Sequence, residues 1–162
     1  MPKQIVPNLW FDTEAEEAAE FYVGVFDGSR IVNVTHYTEA GPRPAGEVMT
    51  VEFELEGQRF VGINGGPEFK FDEAMSLQIN CSDQGEVDYF WEKLTADGGR
   101  EGQCGWCTDK FGVPWQVTPE GMDEVFADPD PEKANRAMRA MLQMKKLDVE
   151  ALREAAEGVP AG

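Results

Sequence analysis

Apolar and polar residues follow two different periods along this chain, and the same order of periods occurs twice. Residues 13–26 carry apolar side chains at helical spacing, with acidic residues on the opposite side. Residues 47–56 alternate between apolar and polar, as a strand with one dry face does. With strand-like segments also at residues 5–11, 30–37 and 58–64, the first half predicts the order strand, helix, strand, strand, strand.

The second half repeats the start of this order. Residues 74–81 have the pattern of a strand, and residues 82–99 predict a helix. Two further strand-like segments, GQCGWCTD and VPWQVTP, follow and are joined at KFG. The aromatic pair FY of the first helix and the pair FW of the second occupy comparable positions. Internal duplication is the economical interpretation. The apolar face of the second helix consists of Val87, Phe90, Trp91 and Leu94.

Both predicted helices begin at residues that favour helix starts. Thr13 with Glu16 three residues later has the spacing of a capping box, and Asp83 with Glu86 resembles the same pair. In a capping box, the first side chain accepts a hydrogen bond from the backbone of the third helical residue. We therefore expect both helices to be capped by their own sequence.

The pattern changes after Pro119. Residues 126–159 predict a helical tail, in which Asp148 caps a second short helix, and residues 160–162 are expected to be a disordered end. Residues 1–125 are expected to form one domain of two modules, at about residues 1–68 and 69–125. The tail carries an apolar stripe of Ala134, Ala137, Met138, Met141 and Leu142.

The net charge of the chain excludes two classes of binding partner. It has 14 Lys and Arg against 31 Asp and Glu, for a formal net charge of −17. Such an acidic protein is repelled by nucleic acid and by anionic membranes, so neither is expected as a partner. The N-terminal sequence MPKQIVPNLW has no signal-peptide pattern, and no run is long enough for a transmembrane helix. A cytoplasmic protein is the expectation.

Cys104 and Cys107 form a Cys-x-x-Cys motif, for which a redox pair, half of a zinc site and a strand carrying two thiols are possible. A redox pair needs a helix N-terminus to lower the thiol pKa, and no predicted helix follows the motif. Zinc needs four ligands, and only Cys81 and His36 remain as soft donors. An extended backbone separates the two residues by about 10 Å, beyond the roughly 7 Å limit for a disulfide. The strand is favoured, with Cys104 and Trp106 on one face.

Four segments together resemble a known family. These are PNLWFDTEAEEAAEFYVGVF, INGGPEF, CGWCTDKFGVPWQVTP and the tail from DPDPEKAN onward. In this order they resemble the PhnB-like, glyoxalase-like branch of the vicinal oxygen chelate superfamily. Many members of that branch carry the label 3-demethylubiquinone-9 3-methyltransferase.

The resemblance implies the fold class α+β. Two βαβββ modules would form a cupped half-barrel of the glyoxalase/bleomycin-resistance type, with a C-terminal helical tail. Members of this branch usually form homodimers, so a homodimer is the expected assembly.

The resemblance also implies where a divalent metal would bind in catalytic members. The corresponding positions here hold Asn8 on the first strand of the first module and either Ser76 or Gln78 on the first strand of the second. The third position, on the final strand, holds Gln116 where a glutamate would normally stand. Neutral amide oxygens bind divalent cations more weakly than carboxylates or imidazoles do. We therefore expect no catalytic metal and no cofactor.

Uncharged amides and indoles remain as candidates for lining a pocket. Amides hydrogen-bond a polar ligand in either sense, and indoles supply apolar surface with one donor each. These features predict a small-molecule-binding protein with no assigned catalysis. The alternative is a metal-dependent isomerase, lyase or dioxygenase of the same superfamily, and the third hypothesis is the methyltransferase of the family label. The pocket candidates are Asn8, Trp10, Asn64, Gln78, Cys104, Trp106, Trp115 and Gln116.

Overall fold

A computed structural model describes residues 3–159 of the chain. The chain divides into two compact units, with unit 1 at residues 1–71 and unit 2 at residues 72–162. Within the described residues, no helix has the length and apolar character that crossing a membrane requires.

Unit 1 is a four-stranded mixed sheet with one helix. Its order along the sheet is β1-β4-β3-β2, in which β1 runs parallel to β4 and the other neighbours are antiparallel. The elements are β1 (Asn8–Phe11), α1 (Ala15–Val25), β2 (Arg30–His36), β3 (Val48–Leu55) and β4 (Gln58–Asn64).

Unit 2 repeats this topology and adds C-terminal helices. Its sheet order is β5-β8-β7-β6, again with the first strand parallel to the last. The prediction of an α+β fold built from two βαβββ modules is therefore confirmed. The elements are β5 (Leu77–Cys81), α2 (Gln84–Thr95), β6 (Arg100–Glu101), β7 (Trp106–Thr108), β8 (Pro114–Pro119), α3 (Met122–Phe126), α4 (Pro131–Met141) and α5 (Val149–Ala156).

The core of unit 1 lies between α1 and one face of its sheet. Val51, Phe53 and Leu55 point to this side, as their alternation predicts, while the residues between them are partly exposed. Burying a side chain of this size contributes about 1.5–3 kcal/mol. Small residues allow the helix to approach closely, since a Cβ at Gly62 would lie 3.2 Å from the Cβ of Ala15.

Helix α1 is capped by a residue far away in sequence. The predicted capping box at Thr13 is wrong, because the helix starts at Ala15 and its N-cap residue, Glu14, makes no capping side-chain bond. Instead the Ala15 amide donates to Asn64 Oδ1 at 2.8 Å, and Asn64 Nδ2 donates to the Val48 carbonyl at 3.1 Å. Asn64 therefore ties the helix to the ends of β3 and β4. Local sequence patterns could not predict this cap, because Asn64 reaches Ala15 only in the folded chain.

Helix α2 has the cap that its sequence predicts. Asp83 accepts a hydrogen bond from the Glu86 amide at 2.8 Å, and Glu86 Oε2 accepts from the Ser82 amide at 2.8 Å. The two modules thus share a topology but begin their helices by different means.

The core of unit 2 contains two of the three cysteines. Cys81 and Cys107 are buried on the helix side of the sheet, together with Trp91 and Val117. Burial, followed by the charges of nearby acids, raises the pKa of each of these two thiols to about 12. Both thiols are free and behave as small apolar core residues.

The predicted apolar stripe of the tail is only partly a packing surface. Ala137 is fully buried, but Met138 and Leu142 are 41% and 55% exposed. Asp148 caps α5 through the Ala151 amide at 2.9 Å, as predicted. Residues 160–162, expected to be disordered, lie outside the described part of the chain.

Replacing Asn64 with Ala should lower the free energy of unfolding by about 2–4 kcal/mol, because one amide and one carbonyl lose their partner in the interior. Asn33→Ala is the control, since Asn33 is exposed on the edge strand β2 and should change stability by less than about 0.5 kcal/mol. Urea unfolding of both variants measures the difference. Equal stabilities would show that Asn64 does not hold α1.

The buried thiols should make the protein less stable at high pH. In the unfolded chain they ionise near the ordinary value of 9.0, whereas in the folded chain they keep their protons up to about pH 12. Above pH 9 the unfolded state therefore binds fewer protons, and the free energy of unfolding falls as the pH rises. A variant with both Cys81→Ala and Cys107→Ala should lose stability less steeply over this range. Urea unfolding at several pH values measures this dependence. If the free energy of unfolding fell equally steeply with pH in the wild type and the variant, the raised pKa values of the two thiols would be contradicted.

Candidate functional site

In unit 2, one face of the sheet is left uncovered by α2, and we call it the open face. The register places Gln78 of β5 beside Gln116 of β8, and Gln116 beside Trp106 of β7. Side chains alternate along strands, so these three residues form one row across the open face. Asn80 and Thr118 form a second row beside it. The predicted grouping of Gln78, Trp106 and Gln116 is thus present within one sheet.

A cavity of about 480 Å³ lies at the β7 end of this sheet. Trp106 and Thr108 belong to the open face, and Trp106 is half-buried. Glu73 supplies the carboxylate of the lining. A cavity of this volume is within the range of small-molecule sites. The lining residues are Glu73, Gly102, Gln103, Cys104, Trp106, Cys107 and Thr108.

Cys104 lies in a turn that joins β6 to β7, so the prediction of a continuous strand is wrong at this residue. Cys104 and Gly105 have φ values of 56° and 84°, and the Trp106 amide donates to the Gln103 carbonyl at 3.0 Å. Positive φ at both central residues is typical of the type I′ turn, which matches the twist of two antiparallel strands. The turn places the Cys104 thiol at the cavity, where it donates to the Met141 carbonyl at 3.5 Å.

The structure supports neither a redox pair nor a zinc site at the Cys-x-x-Cys motif. No helix starts at the motif, and Cys107 is buried in the core while Cys104 is half-exposed. Across residues 3–159, the side chains of His, Cys, Asp and Glu form no group of three or more that could hold a metal ion.

The positions that the resemblance implies for a metal hold amides with protein partners. Gln116 Nε2 donates to Ser76 Oγ at 2.8 Å, and Gln78 Nε2 donates to Asn80 Oδ1 at 2.8 Å. Asn8, in unit 1, is exposed and donates to the Val6 carbonyl at 3.0 Å. Each residue offers one neutral oxygen, and divalent ions in proteins require carboxylate or imidazole ligands for tight binding. This donor set does not fit a catalytic metal centre.

Trp115 lies on the opposite face of the sheet from Gln116. It is buried, and its Nε1 donates to Asp109 Oδ2 at 2.8 Å. The other oxygen of Asp109 accepts from the amides of Phe111 and Val113. This buried carboxylate therefore fixes the loop between β7 and β8, and Trp115 has a packing role. Sequence reasoning missed Asp109, although the spacing Asp-x-x-Gly is the pattern of a turn closed by an Asp side chain.

Trp10 of unit 1 packs against its own loop. Its Nε1 donates to the Gly66 carbonyl at 2.9 Å, and its ring meets Phe69 edge-on at 5.0 Å. A Cβ at Gly65 would overlap the Trp10 indole, so only glycine fits there. The glycine at position 65 is thus required by the indole that lies on it.

Asn64 lines a smaller cavity of about 270 Å³ in unit 1. Arg43 and Glu47 also line this cavity, and Arg43 Nε donates to Glu47 Oε2 at 3.1 Å. The side-chain amide of Asn64 is already bonded to Ala15 and Val48. Its position is accounted for by helix capping.

Comparison with protein families gives one match. The family model described as 3-demethylubiquinone-9 3-methyltransferase matches residues 3–118. Comparison with curated proteins gives no match.

Solved structures show the same fold. A putative 3-demethylubiquinone-9 3-methyltransferase, PhnB protein, from Bacillus cereus is 36% identical over 72% of this chain and 99% of its own, with a TM-score of 0.65. Protein PA1353 from Pseudomonas aeruginosa is 22% identical over 74% of this chain and 98% of its own, with a TM-score of 0.62.

A third structure extends the likeness beyond close relatives. The fosfomycin resistance protein FosX from Listeria monocytogenes is 12% identical over 76% of this chain and 98% of its own, with a TM-score of 0.52. At this identity the likeness concerns the fold. On the family match and the Bacillus cereus relative, the chain belongs to the 3-demethylubiquinone-9 3-methyltransferase family, the PhnB-like branch of the vicinal oxygen chelate superfamily.

Proposed function

We propose that the protein binds a small, uncharged, partly planar molecule in the cavity of unit 2. The observation that carries this proposal is a cavity of about 480 Å³ walled by the half-buried Trp106 and continuous with a sheet face lined by amides and hydroxyls. An indole face offers a planar group stacking worth about 0.5–1.5 kcal/mol beyond the area it buries. Amides next to it fix the orientation of the ligand through hydrogen bonds.

Charge favours an uncharged ligand over an anion. Glu73 lies in the lining, and the net charge of the chain is −17. An anion entering this cavity meets repulsion both from the nearby carboxylate and from the summed field of the protein. The direct cross-strand partner of Trp106 on the open face is the neutral Gln116. Arg100, the partner of Thr108, lies exposed on the edge strand β6. A neutral ligand stacked on Trp106 therefore has no charge to desolvate against Gln116.

The metal-dependent enzyme is the alternative function. A structure of Listeria FosX is described as complexed with Mn(II) and sulfate ion, but its 12% identity shows the fold alone. Gln78 and Gln116 stand where the resemblance implies ligands, and both amides hydrogen-bond within unit 2. Both amides are thus engaged by protein groups, and ligand binding in the cavity of unit 2 needs no metal ion.

The methyltransferase in the family description has little support in the local structure. Methyl transfer from S-adenosylmethionine usually uses a glycine-rich turn that leads from a strand into a helix. After β4, Gly65 and Gly66 lead instead into a loop that packs on Trp10, and the next element is the strand β5. Tight binding of S-adenosylmethionine in calorimetry would make methyl transfer the better proposal.

Benzamide and benzoate provide a matched pair of probes, because they share a shape and differ in charge. We expect benzamide to bind with a dissociation constant of about 1 mM, which is typical of a fragment of this size, and benzoate to bind at least about tenfold more weakly. Trp106→Ala should weaken benzamide binding at least about fivefold by removing the stacking surface. Saturation-transfer NMR and titration of the indole signals measure both effects.

Tyr89→Ala is the matched control for this experiment. Tyr89 is an aromatic residue of unit 2 that lies exposed on α2, away from the cavity lining. Its loss should leave the affinity for benzamide unchanged. Equal affinities of the wild type and Trp106→Ala, or equal binding of benzoate and benzamide, would contradict the proposal.

Metal analysis decides between the proposal and its alternative. Protein purified without chelator should hold substoichiometric divalent metal, and Gln116→Glu should raise the affinity for Ni²⁺ by about tenfold because it adds a carboxylate to the row with Gln78. Gln58→Glu, at an exposed position of β4, should leave that affinity unchanged. A stoichiometric ion in the wild type, released by Gln116→Ala, would establish the metal-dependent reading instead.

A further inference from the structure

The C-terminal segment, residues 120–159, lies outside the family match, although the tail from DPDPEKAN onward was one of the four segments on which the resemblance was based. The family model ends at residue 118, and the Bacillus cereus relative matches 72% of this chain with 99% of its own. In this protein the segment contributes buried residues to unit 2, because Ala137, Leu147 and Leu152 have no more than 1% of their surface exposed.

Gln84, at the start of α2, joins the family part of unit 2 to this segment. Its Nε2 donates to the Leu147 carbonyl at 2.9 Å, and its Oε1 accepts from the Val149 amide at 3.0 Å. One carboxamide thus pairs with two backbone groups, as a neighbouring strand would. The chain between α4 and α5 is held in place through this side chain.

The same stretch of the segment also binds the turn at the cavity. The amide of Cys104 donates to the Met144 carbonyl at 2.9 Å, and that of Gly105 donates to the Lys145 carbonyl at 2.8 Å. Leu147 packs on Gly105, where an added Cβ would lie 2.7 Å from Leu147 Cδ1. Both central residues of the turn therefore take their amide partners from the C-terminal segment.

Charge strengthens this contact. Lys146 Nζ lies 2.7 Å from Asp88 Oδ1, and Lys145 Nζ lies 3.8 Å from Glu101 Oε2. The hydrogen bond from Lys146 is the main cause that lowers the pKa of Asp88. In a strongly acidic protein, two adjacent lysines meet two acids of the family part, which favours docking of the segment over release.

We propose that residues 144–149 position the Cys104–Gly105 turn and so set the shape of the cavity, with Gln84 as the positioning residue that anchors them. The turn holds a non-glycine residue at positive φ, a conformation that persists only where the surroundings hold it. Its amides point to the segment, while Cys104 and its neighbours Gln103 and Trp106 form the cavity lining. The effect on ligand binding rests on the proposed function, whereas the effect on the turn does not.

Gln84→Ala in the full chain tests the proposal without altering the cavity lining. Labelling of Cys104 by iodoacetamide, followed by mass spectrometry, should accelerate by about fivefold to tenfold, since two hydrogen bonds no longer oppose opening of the segment. Amide exchange at Cys104 and Gly105 should accelerate in parallel. Gln84→Glu keeps an acceptor for the Val149 amide but sets a carboxylate oxygen against the Leu147 carbonyl and the Asp88 carboxylate, so it should accelerate labelling at least as much as Gln84→Ala.

Two internal readouts separate this local effect from general destabilisation. Labelling of the buried Cys81, which lies outside the cavity lining, should stay slow in Gln84→Ala, because it reports global unfolding. Gln58→Ala removes a glutamine of unit 1 whose side chain donates to the adjacent Arg59 carbonyl at 2.9 Å, and in this variant Cys104 should be labelled at the wild-type rate.

Benzamide binding supplies the last readout, and Gln84→Ala should weaken it at least about threefold as the cavity wall loosens. Wild-type rates of Cys104 labelling and amide exchange in Gln84→Ala would overturn the proposal. If Gln84→Ala accelerated Cys104 labelling but left the benzamide affinity unchanged, the inference that the segment sets the shape of the cavity would be overturned. If the wild type itself fails to bind benzamide, the proposed function fails, and the labelling rates alone decide whether the segment positions the turn.

Discussion

One helix covering one face of a four-stranded mixed sheet is the arrangement on which both units depend. Because side chains alternate along each strand, burial of Val51, Phe53 and Leu55 in unit 1 fixes which residues lie on the other face. In unit 2, burial of Cys107, Trp115 and Val117 likewise places Trp106 and Gln116 on the open face. The position of the candidate site is thus a consequence of core packing, since a register slip of one residue would exchange the two faces of the sheet.

The periodicity of the sequence predicted the order of elements in unit 1 and the start of that order in unit 2. Two-residue alternation and helical spacing are local properties, and they identified both helices but not the two-residue strand β6. The complete second βαβββ module was implied by the family resemblance. The cap at Asp83 was predictable for the same reason, because its partner Glu86 is three residues away. The role of Asn64 was not, because its partners Ala15 and Val48 are brought to it only by the fold.

The candidate site was predicted in part. Gln78, Trp106 and Gln116 share one face because strand alternation extends correctly from their neighbours. Trp115 occupies the opposite face, where the buried carboxylate of Asp109 accepts its indole proton. Cys104 was assigned to a strand because two-residue periodicity cannot detect a left-handed turn, and its partners Met144 and Lys145 lie far along the chain. Residues whose conformation depends on distant backbone are those that local patterns miss.

The residue that caps α1 also belongs to a sequence prone to chemical degradation. Asn64 is followed by Gly65, and an Asn-Gly pair is the dipeptide most prone to deamidation, in which the following amide nitrogen attacks the side-chain carbonyl. Here the Gly65 amide donates to the Phe11 carbonyl at 2.9 Å, while the Asn64 side chain is held by two hydrogen bonds. In the folded chain, these hydrogen bonds hold both the attacking Gly65 amide and the Asn64 side chain in place and so oppose deamidation. In the unfolded chain these bonds are lost, and both groups are free to react. Each excursion to the unfolded state therefore carries a chemical risk, and a chain in which Asn64 has become Asp can no longer donate to Val48 when it refolds.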